Sequence, residues 1–169
     1  MKLINAFLLF LLSLFGLSAW ALSSDKNQPI QIEADQVKID DRTGLSTYQG
    51  NVRLNQGSML VHAEKVIVHS ENRKLTKVIA DGNPARFSQR PDGALKDVEA
   101  TAQHVEYETI GGVLTLKEKA KFQQGSNFFQ GNLIVYETHL DVVRASKSPQ
   151  GKGRVQVVIE PQTLENAKQ

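Results

Sequence analysis

The sequence has no cysteine and few aromatic residues. Among 169 residues there are 0 cysteines, and phenylalanine, tyrosine and tryptophan together make up 7% of the chain. Without cysteine no disulfide can stabilise the fold, and both thiol catalysis and thiolate zinc sites are excluded. The domain must therefore depend on a core of mainly aliphatic side chains, which a chain of this length can bury.

Neither positive nor negative charge is in large excess. The chain carries 20 lysine and arginine residues against 18 aspartate and glutamate residues. Proteins that bind nucleic acids neutralise phosphates with a clustered basic face. This balance therefore argues against nucleic acid as a partner.

Catalytic and metal-binding motifs are also missing. Asp40 and Asp41 resemble the paired carboxylates of a glycosidase, but adjacent aspartates before Arg42-Thr43-Gly44 also suit a turn. His62-Ala63-Glu64 matches one half of a zinc deaminase motif whose other half needs cysteine. We therefore predict no enzymatic activity, no cofactor and no metal site. A polysaccharide-acting enzyme is kept as a hypothesis, ranked third after the two that are given at the end of this subsection.

The amino terminus has the pattern of a cleaved signal peptide. Lys2 precedes an apolar run over residues 3–17, and Ala19-Trp20-Ala21 forms an A-x-A cleavage site. The run is short for a membrane span, which needs about 20 residues, although an uncleaved anchor is the alternative. Such a signal sends the product to the periplasm or out of the cell. We predict a signal peptide, one domain and a polar tail over residues 1–21, 22–159 and 160–169.

One six-residue pattern occurs four times. It starts at Ala34, Ala63, Ala102 and Gly131, at intervals of 29, 39 and 29 residues. A period near 30 is typical of stacked units that bury their apolar faces against their neighbours. The longer interval indicates an insertion around residues 90–95, which we expect to form a protruding hairpin.

Apolar and polar residues alternate along most of the chain, as in Val52-Arg53-Leu54-Asn55. This period of two indicates half-buried strands, and turn residues separate the runs. Each unit has the order strand, one-residue kink, strand, turn, strand, turn, strand. Four such units predict an all-β domain of about sixteen short antiparallel strands that is open at both ends.

The two halves of the domain repeat each other, because segment 52–58 is similar to segment 120–126. Matched positions that are apolar in both halves should share one interior face. These pairs are Leu54 with Phe122, Leu60 with Phe128, Val66 with Ile134 and Val68 with Tyr136. The interior is either a closed core or an apolar trough for acyl chains, in which each buried methylene contributes about 0.8 kcal/mol.

The first and last strands of such a stack have unpaired backbone groups. Residues 30–33 begin the sheet, and the β-forming run 154–159 ends it. Edges of this kind pair with another chain unless they are blocked. Joining last edge to first edge would give an open filament. In the alternative, the polar tail that begins near Pro161 caps the last edge.

Several segments resemble the OstA-like family, the periplasmic A-type components of the lipopolysaccharide-transport bridge. The similarity covers nearly the whole mature chain, and it is carried by the order and spacing of segments 28–35, 48–52, 56–57, 81–87 and 102–107. The resemblance implies a slightly twisted β-jelly roll of sixteen strands. It also implies a conduit that receives lipopolysaccharide from an inner-membrane LptC-like component and passes it to an outer-membrane LptD-like component.

The resemblance further implies head-to-tail self-association, and by position it favours Ile30, Ile32, Phe87 and Tyr107 as lipid-facing. With the interior candidates, the predicted contacts to the lipid A acyl chains are Ile30, Ile32, Leu54, Val66, Phe87, Tyr107, Leu116, Phe122 and Tyr136. The predicted assembly edges are Ile30, Ile32, Val155, Val157 and Ile159. The alternative is a periplasmic scaffold module with a closed core, which pairs edge to edge without carrying lipid.

Overall fold

The computed structural model describes residues 25–94, 96–147 and 153–159, so the predicted signal peptide and polar tail lie outside the described residues. These residues contain one short 3₁₀ segment, Asp25–Asn27, and ten strands. The strands are β1 Ile30–Glu33, β2 Gln36–Asp40, β3 Leu45–Gln56, β4 Met59–Glu71, β5 Lys74–Gln89, β6 Val98–Glu108, β7 Val113–Gln124, β8 Asn127–Glu137, β9 Val142–Ser146 and β10 Gln156–Val158. The prediction of an all-β domain is confirmed.

All ten strands belong to one antiparallel sheet that follows the order of the chain. The six long strands, β3 to β8, each pair with their neighbours in sequence. The short strands β1 and β2 both pair with β3, and β9 and β10 both pair with β8. The first and last strands do not pair with each other in the described part of the chain, so the sheet is open.

Each long strand changes register near its middle. The shifts lie between Gln49 and Val52, His62 and Lys65, Asp81 and Ala85, Thr101 and His104, and Lys117 and Ala120. The sequence-based count of about sixteen placed separate strands on either side of these kinks. The structure has ten because a β-bulge bends a strand without ending its ladder.

The repeated six-residue pattern falls at these kinks. In the first unit, the backbone N–H of Asp35 donates to the Gly50 carbonyl over 3.1 Å, and Asn51 Nδ2 donates to the Asp35 carboxylate over 3.3 Å. Gly50 has a φ of 82° and Asn51 a φ of 46°. A Cβ at Gly50 would overlap the Asp35 carboxylate, so this position requires glycine. The repeat therefore marks where the strands bend.

The kinks fold the sheet into two facing layers. Phe87 on β5 pairs with Ala100 on β6, and Tyr107 lies about 23 Å from Ala100 along a straight strand. The ring centroids of Phe87 and Tyr107 are nevertheless 5.2 Å apart. The two halves of the sheet must therefore face each other. We call the half with β1 and β10 the first layer and the half with β2 and β9 the second layer.

Apolar side chains fill the space between the layers. Three of the four matched pairs are buried as predicted: Leu54 with Phe122, Val66 with Ile134 and Val68 with Tyr136. The prediction for Leu60 is wrong, since it lies on the outer face and is 38% exposed. Strand β4 begins with Met59 and Val61 pointing inward, and the pleat turns Leu60 outward. Its match Phe128 lines the same outer face.

The insertion around residues 90–95 is not a separate hairpin. It lengthens the connection between β5 and β6, and its described residues contain no strand. Arg90 Nε lies 2.6 Å from Asp97 Oδ1, which closes the loop on itself. The Arg90 N–H also donates to Ser58 Oγ over 3.0 Å, so the loop is tied to the β3–β4 turn.

Candidate functional site

Most of the predicted lipid-contacting residues meet in the interior between the layers. Their exposed fractions run from 0% for Leu54 to 5% for Tyr107. The buried members, all in one hydrophobic cluster, are Leu54, Val66, Phe87, Tyr107, Leu116, Phe122 and Tyr136. The structure therefore brings these residues together and fills the middle of the interior with their own side chains.

The two ends of the interior are less covered than its middle. Ile30 and Ile32 on β1 are half-buried and pack against the hydrophobic cluster at one end. Phe129 on β8, with Val143 and Ala145 on β9, is half-buried at the other end. The apolar interior therefore extends to both edges of the sheet.

The predicted assembly residues lie on or beside two edge strands of the first layer. In the described part of the chain, β1 pairs only with β3 and β10 pairs only with β8. Val157 on β10 is 47% exposed, and Ile159 just beyond it is 67% exposed. Val155, which precedes the strand, is half-buried. The β-forming run 154–159 thus contains a shorter strand than predicted, with apolar side chains open to solvent.

The side of the molecule opposite the kinks, which we call the mouth, carries a polar network that the sequence did not reveal. Asp25 accepts hydrogen bonds from the Ser58 N–H and hydroxyl, both at 2.7 Å, and from Gln89 Nε2 at 3.0 Å. Gln56 Nε2 donates to the Gln28 carbonyl over 3.1 Å. We call residues 25–28 the strap, because they tie the β3–β4 turn to the end of β5.

Two cavities lie between the strap and the second layer. One of about 480 Å³ is lined by Lys26, Gln56 and Leu75, among others. The other, of about 170 Å³, is lined by Lys26, Gln89 and Tyr107, among others. Because Leu75 and Tyr107 belong to the hydrophobic cluster, both cavities border the apolar interior.

Two interior tyrosines carry their hydroxyl groups to the mouth. Burial raises the pKa of Tyr136 to about 12, and the nearby Asp141 carboxylate acts in the same direction. The Tyr136 hydroxyl donates to Asp141 Oδ1 over 3.1 Å and accepts from Gln124 Nε2 at 3.2 Å. Burial also raises the pKa of Tyr107. Both hydroxyls are therefore protonated at ordinary pH, and the O–H of Tyr136 is used by Asp141.

Charges on the outer face of the second layer neutralise one another. Lys77 Nζ lies 2.7 Å from Glu106 Oε1 and 2.9 Å from Glu108 Oε1. The hydrogen bond from Lys77 lowers the pKa of Glu106, and the bond to Glu106 raises the pKa of Lys77. His104 Nδ1 lies 2.7 Å from Asp81 Oδ1 on the same face. These residues hold neighbouring strands together across the sheet.

One of the two carboxylates considered as catalytic groups, Asp40, has a structural role. Asp40 Oδ1 accepts hydrogen bonds from the Arg42 N–H at 3.0 Å and the Thr43 N–H at 3.3 Å, as in a turn. Within the described ranges, no group of three or more His, Asp or Glu side chains is placed to hold a metal ion. No helix in the same ranges is long and apolar enough to span a membrane.

Comparison with known proteins places the chain among its relatives. The family described as LptA/(LptD N-terminal domain) LPS transport protein matches residues 31–142. The chain belongs to this family. The resemblance drawn from the segments along the sequence is therefore confirmed.

Relatives in this LptA family match most of the chain. Lipopolysaccharide export system protein LptA of Haemophilus influenzae is 35% identical over 173 residues, covering 99% of this chain and 99% of the relative. Its namesake in Escherichia coli K12 is 33% identical over 153 residues, covering 89% and 81%. A crystal structure of LptH, the LptA-homologous periplasmic component of the lipopolysaccharide transport device from Pseudomonas aeruginosa, matches with a TM-score of 0.73. That match has 29% identity and covers 82% of this chain and 100% of the LptH chain.

Proposed function

We propose that this member of the LptA family transports lipopolysaccharide through the periplasm, with the lipid A acyl chains sheltered between the two layers. The observation that carries the proposal is an apolar interior that extends from Ile30 and Ile32 at one edge to Phe129 and Val143 at the other. Each methylene kept from water in such a passage lowers the free energy by about 0.8 kcal/mol. Family membership and the names of the relatives support the same cargo.

Lipid binding on this proposal requires the layers to move apart. Leu54 and Leu116 are 0% exposed and Tyr136 is 1% exposed, so acyl chains can enter only by displacing side chains. The kinks act as the hinge and the mouth opens, because each long strand from β3 to β8 passes from one layer to the other through its kink. The acyl chains then contact Ile30, Ile32, Leu54, Val66, Phe87, Tyr107, Leu116, Phe122 and Tyr136.

The edge strands supply the bridging part of the proposal. An added strand can complete the ladder of β1 or of β10, as in other β-augmentation contacts. Copies joined head to tail through Ile30, Ile32, Val155, Val157 and Ile159 would align their interiors as a jelly-roll conduit. The same edges would meet an inner-membrane LptC-like component at one end and an outer-membrane LptD-like component at the other.

A second candidate function is a periplasmic scaffold that pairs edge to edge with a permanently closed core. The filled middle of the interior favours it, since Phe122 and Ile134 are both 0% exposed. This candidate predicts oligomers formed through β1 and β10 that contain no lipid.

Site-specific photo-crosslinking in intact cells distinguishes the two candidates. Adjacent residues on one strand face opposite sides of the layer, which gives matched pairs: Ile32 inward with Gln31 outward, and Leu116 inward with Thr115 outward. The transport proposal expects lipopolysaccharide adducts at Ile32 and Leu116 and none at Gln31 and Thr115. Equal capture at both members of each pair would refute an interior path. Oligomers without adducts or lipid in native mass spectra would favour the scaffold.

A further inference from the structure

A groove of about 340 Å³ crosses the outer face of the first layer, on the side away from the interior. Its side chains come from strands β4 to β8 and combine cationic, hydroxyl and apolar groups. The lining residues that matter here are Leu60, His62, Arg86, Thr101, Lys121 and Phe128. None of these side chains has a role in the interior path.

The strand register places the polar side chains of the groove in one row. His62 pairs with Arg86, Arg86 with Thr101, and Thr101 with Lys121. Neighbouring strands lie about 4.8 Å apart, so the backbones of Arg86 and Lys121 are separated by about 10 Å. Thr101 between them is short, which leaves room for the two long cationic side chains to converge on one anion above its hydroxyl.

Within the described ranges, these cations are not neutralised by ion pairs. Arg53 extends the row, because it pairs with His62 on the neighbouring strand. In the described residues, no ion pair involves Arg53, Arg86 or Lys121. Lys77 on the outer face of the second layer, by contrast, is held by two carboxylates. One acid, Glu99, also lines the groove, so two permanent cations face a single carboxylate.

Apolar side chains flank the cationic row. Leu60 on β4 is 38% exposed, and Phe128 on β8 is half-buried. Both side chains line the groove, and their strands lie on opposite sides of β6, which carries Thr101. A concave site that combines a few charged groups with apolar walls fits a ligand that has both an anionic and an apolar part.

We propose that this outer groove binds a phosphate-bearing amphiphile. The phosphate lies between Arg86 and Lys121 over the Thr101 hydroxyl, and the apolar part contacts Leu60 and Phe128. Arginine binds phosphate oxygens in a bidentate manner, lysine adds a compact positive charge, and the hydroxyl donates a further hydrogen bond. The site is independent of the proposed transport path, because it lies on the opposite face of the first layer.

The ligand class is tested by amide NMR titration of the purified protein with dihexanoyl phosphatidic acid below its micelle concentration. Amides of residues 60–62, 86–88, 99–101 and 121–123 should shift. Glycerol phosphate and inorganic phosphate should bind at least about tenfold more weakly, because they lack the apolar part. Dihexanoyl phosphatidylcholine should also bind more weakly, because its ammonium group offsets the phosphate charge. Equal affinity for glycerol phosphate, or for phosphatidylcholine, would overturn the assignment.

Two double variants test whether Arg86 and Lys121 bind the phosphate. Replacing both groove cations, R86Q with K121Q, should weaken binding at least about tenfold. The matched control K38Q with R42Q removes the same charge from exposed positions outside the groove and should change affinity less than about twofold. Equal losses in the two double variants would overturn the site in favour of general electrostatic attraction.

A conservative change at Thr101 tests the site independently, in case the double variant has a folding defect. Thr101→Val keeps the shape and the strand preference of the side chain and replaces the hydroxyl with a methyl group. It should weaken phosphatidic acid binding while leaving the amide spectrum of the second layer unchanged. Unaltered binding by this variant, or shifts confined to interior residues such as Leu116, would contradict the proposed geometry.

Discussion

Phe122 of the first layer packs against Tyr136 of the second layer, with ring centroids 4.9 Å apart and an interplanar angle of 49°. Phe122 pairs with Phe129 across β7 and β8, so straight strands would place Tyr136 about 23 Å from this pair. The contact exists because β7 and β8 bend together at their kinks. Such aromatic pairs add about 0.5–1.5 kcal/mol beyond their burial, and this pair joins the layers near the last edge.

Replacing Tyr136 with phenylalanine should make folding stability less sensitive to alkali. Burial raises the pKa of Tyr136 to about 12 in the folded protein, from an ordinary value of 10.0. Because the folded pKa is the higher one, this group's contribution is complete below pH 10 and is lost as the pH rises towards 12. Urea unfolding over this range should show a steeper loss for the wild type than for Y136F.

At neutral pH the same variant should lose about 1 kcal/mol, since Gln124 and Asp141 lose a hydrogen-bond partner. Absorbance at the phenolate band gives an independent check, because the buried Tyr107 and Tyr136 should ionise later in the folded protein than in urea, and Y136F should remove one of these two late steps. Identical alkaline slopes for wild type and Y136F would show that Tyr136 does not carry the effect.

A matched pair of leucines tests which face of the sheet is the core. Leu54 is 0% exposed and Leu60 is 38% exposed on the neighbouring strand. Leu54→Ala should cost about 2–5 kcal/mol of unfolding free energy, as for other buried leucines. Leu60→Ala should cost within about 0.5 kcal/mol, as for most surface changes. Chemical denaturation measures both, and similar losses would contradict the register.

Alternation along the sequence was enough to predict the inward positions of Leu54, Val66 and Phe122. It failed at Leu60 because alternation restarts after a turn, and here Gly57 and Ser58 shift the phase of β4. The six-residue repeat could be recognised in the sequence because each copy lies at a bend of the strands. A bend and a turn both use Gly-Asn pairs, so Gly50-Asn51 could not be assigned to a continuous strand from the sequence.

The polar network at the mouth and the outer groove could not be predicted in this way. Asp25 bonds to Ser58, which lies 33 residues away, and to Gln89, which lies 64 residues away. Contacts this distant depend on how the segment before β1 passes the ends of β3 and β5, and no local pattern encodes that. The groove likewise depends on the register across β4 to β8, which brings Arg86 and Lys121 into one row.

Removing the Asp25 carboxylate should release the strap from the β3–β4 turn and from the end of β5. Asp25→Ala deletes three hydrogen bonds, two from Ser58 and one from Gln89. The expected cost is about 1–3 kcal/mol, because bonds to a charged group are stronger than neutral ones. Hydrogen exchange should rise at the Ser58 and Arg90 amides, which depend on the strap directly or through the Ser58 hydroxyl. Lys26→Ala, on an exposed neighbour, is the control and should leave both amides protected.

Assembly through the last edge should be blocked by charge. Val157 and Ile159 are 47% and 67% exposed, and lysines on an edge strand are a natural device against pairing. We expect the double variant V157K with I159K to sediment at a lower mass than the wild type at the same concentration, because an added strand would have to cover both ammonium groups.

The control for this experiment adds the same charge at exposed apolar positions away from the edge. Ile110 and Leu140 lie in turns of the second layer and are 73% and 64% exposed. If head-to-tail pairing uses β10, the variant I110K with L140K keeps the wild-type distribution of masses. In head-to-tail pairing, β10 of one copy meets β1 of the next, so the two edges are not equivalent. The variant V157K with I159K keeps an intact β1, and it should therefore still bind the β10 edge of a wild-type chain and end the row of copies there. Equal dissociation by both double variants would show that association depends on overall charge and not on the β10 edge.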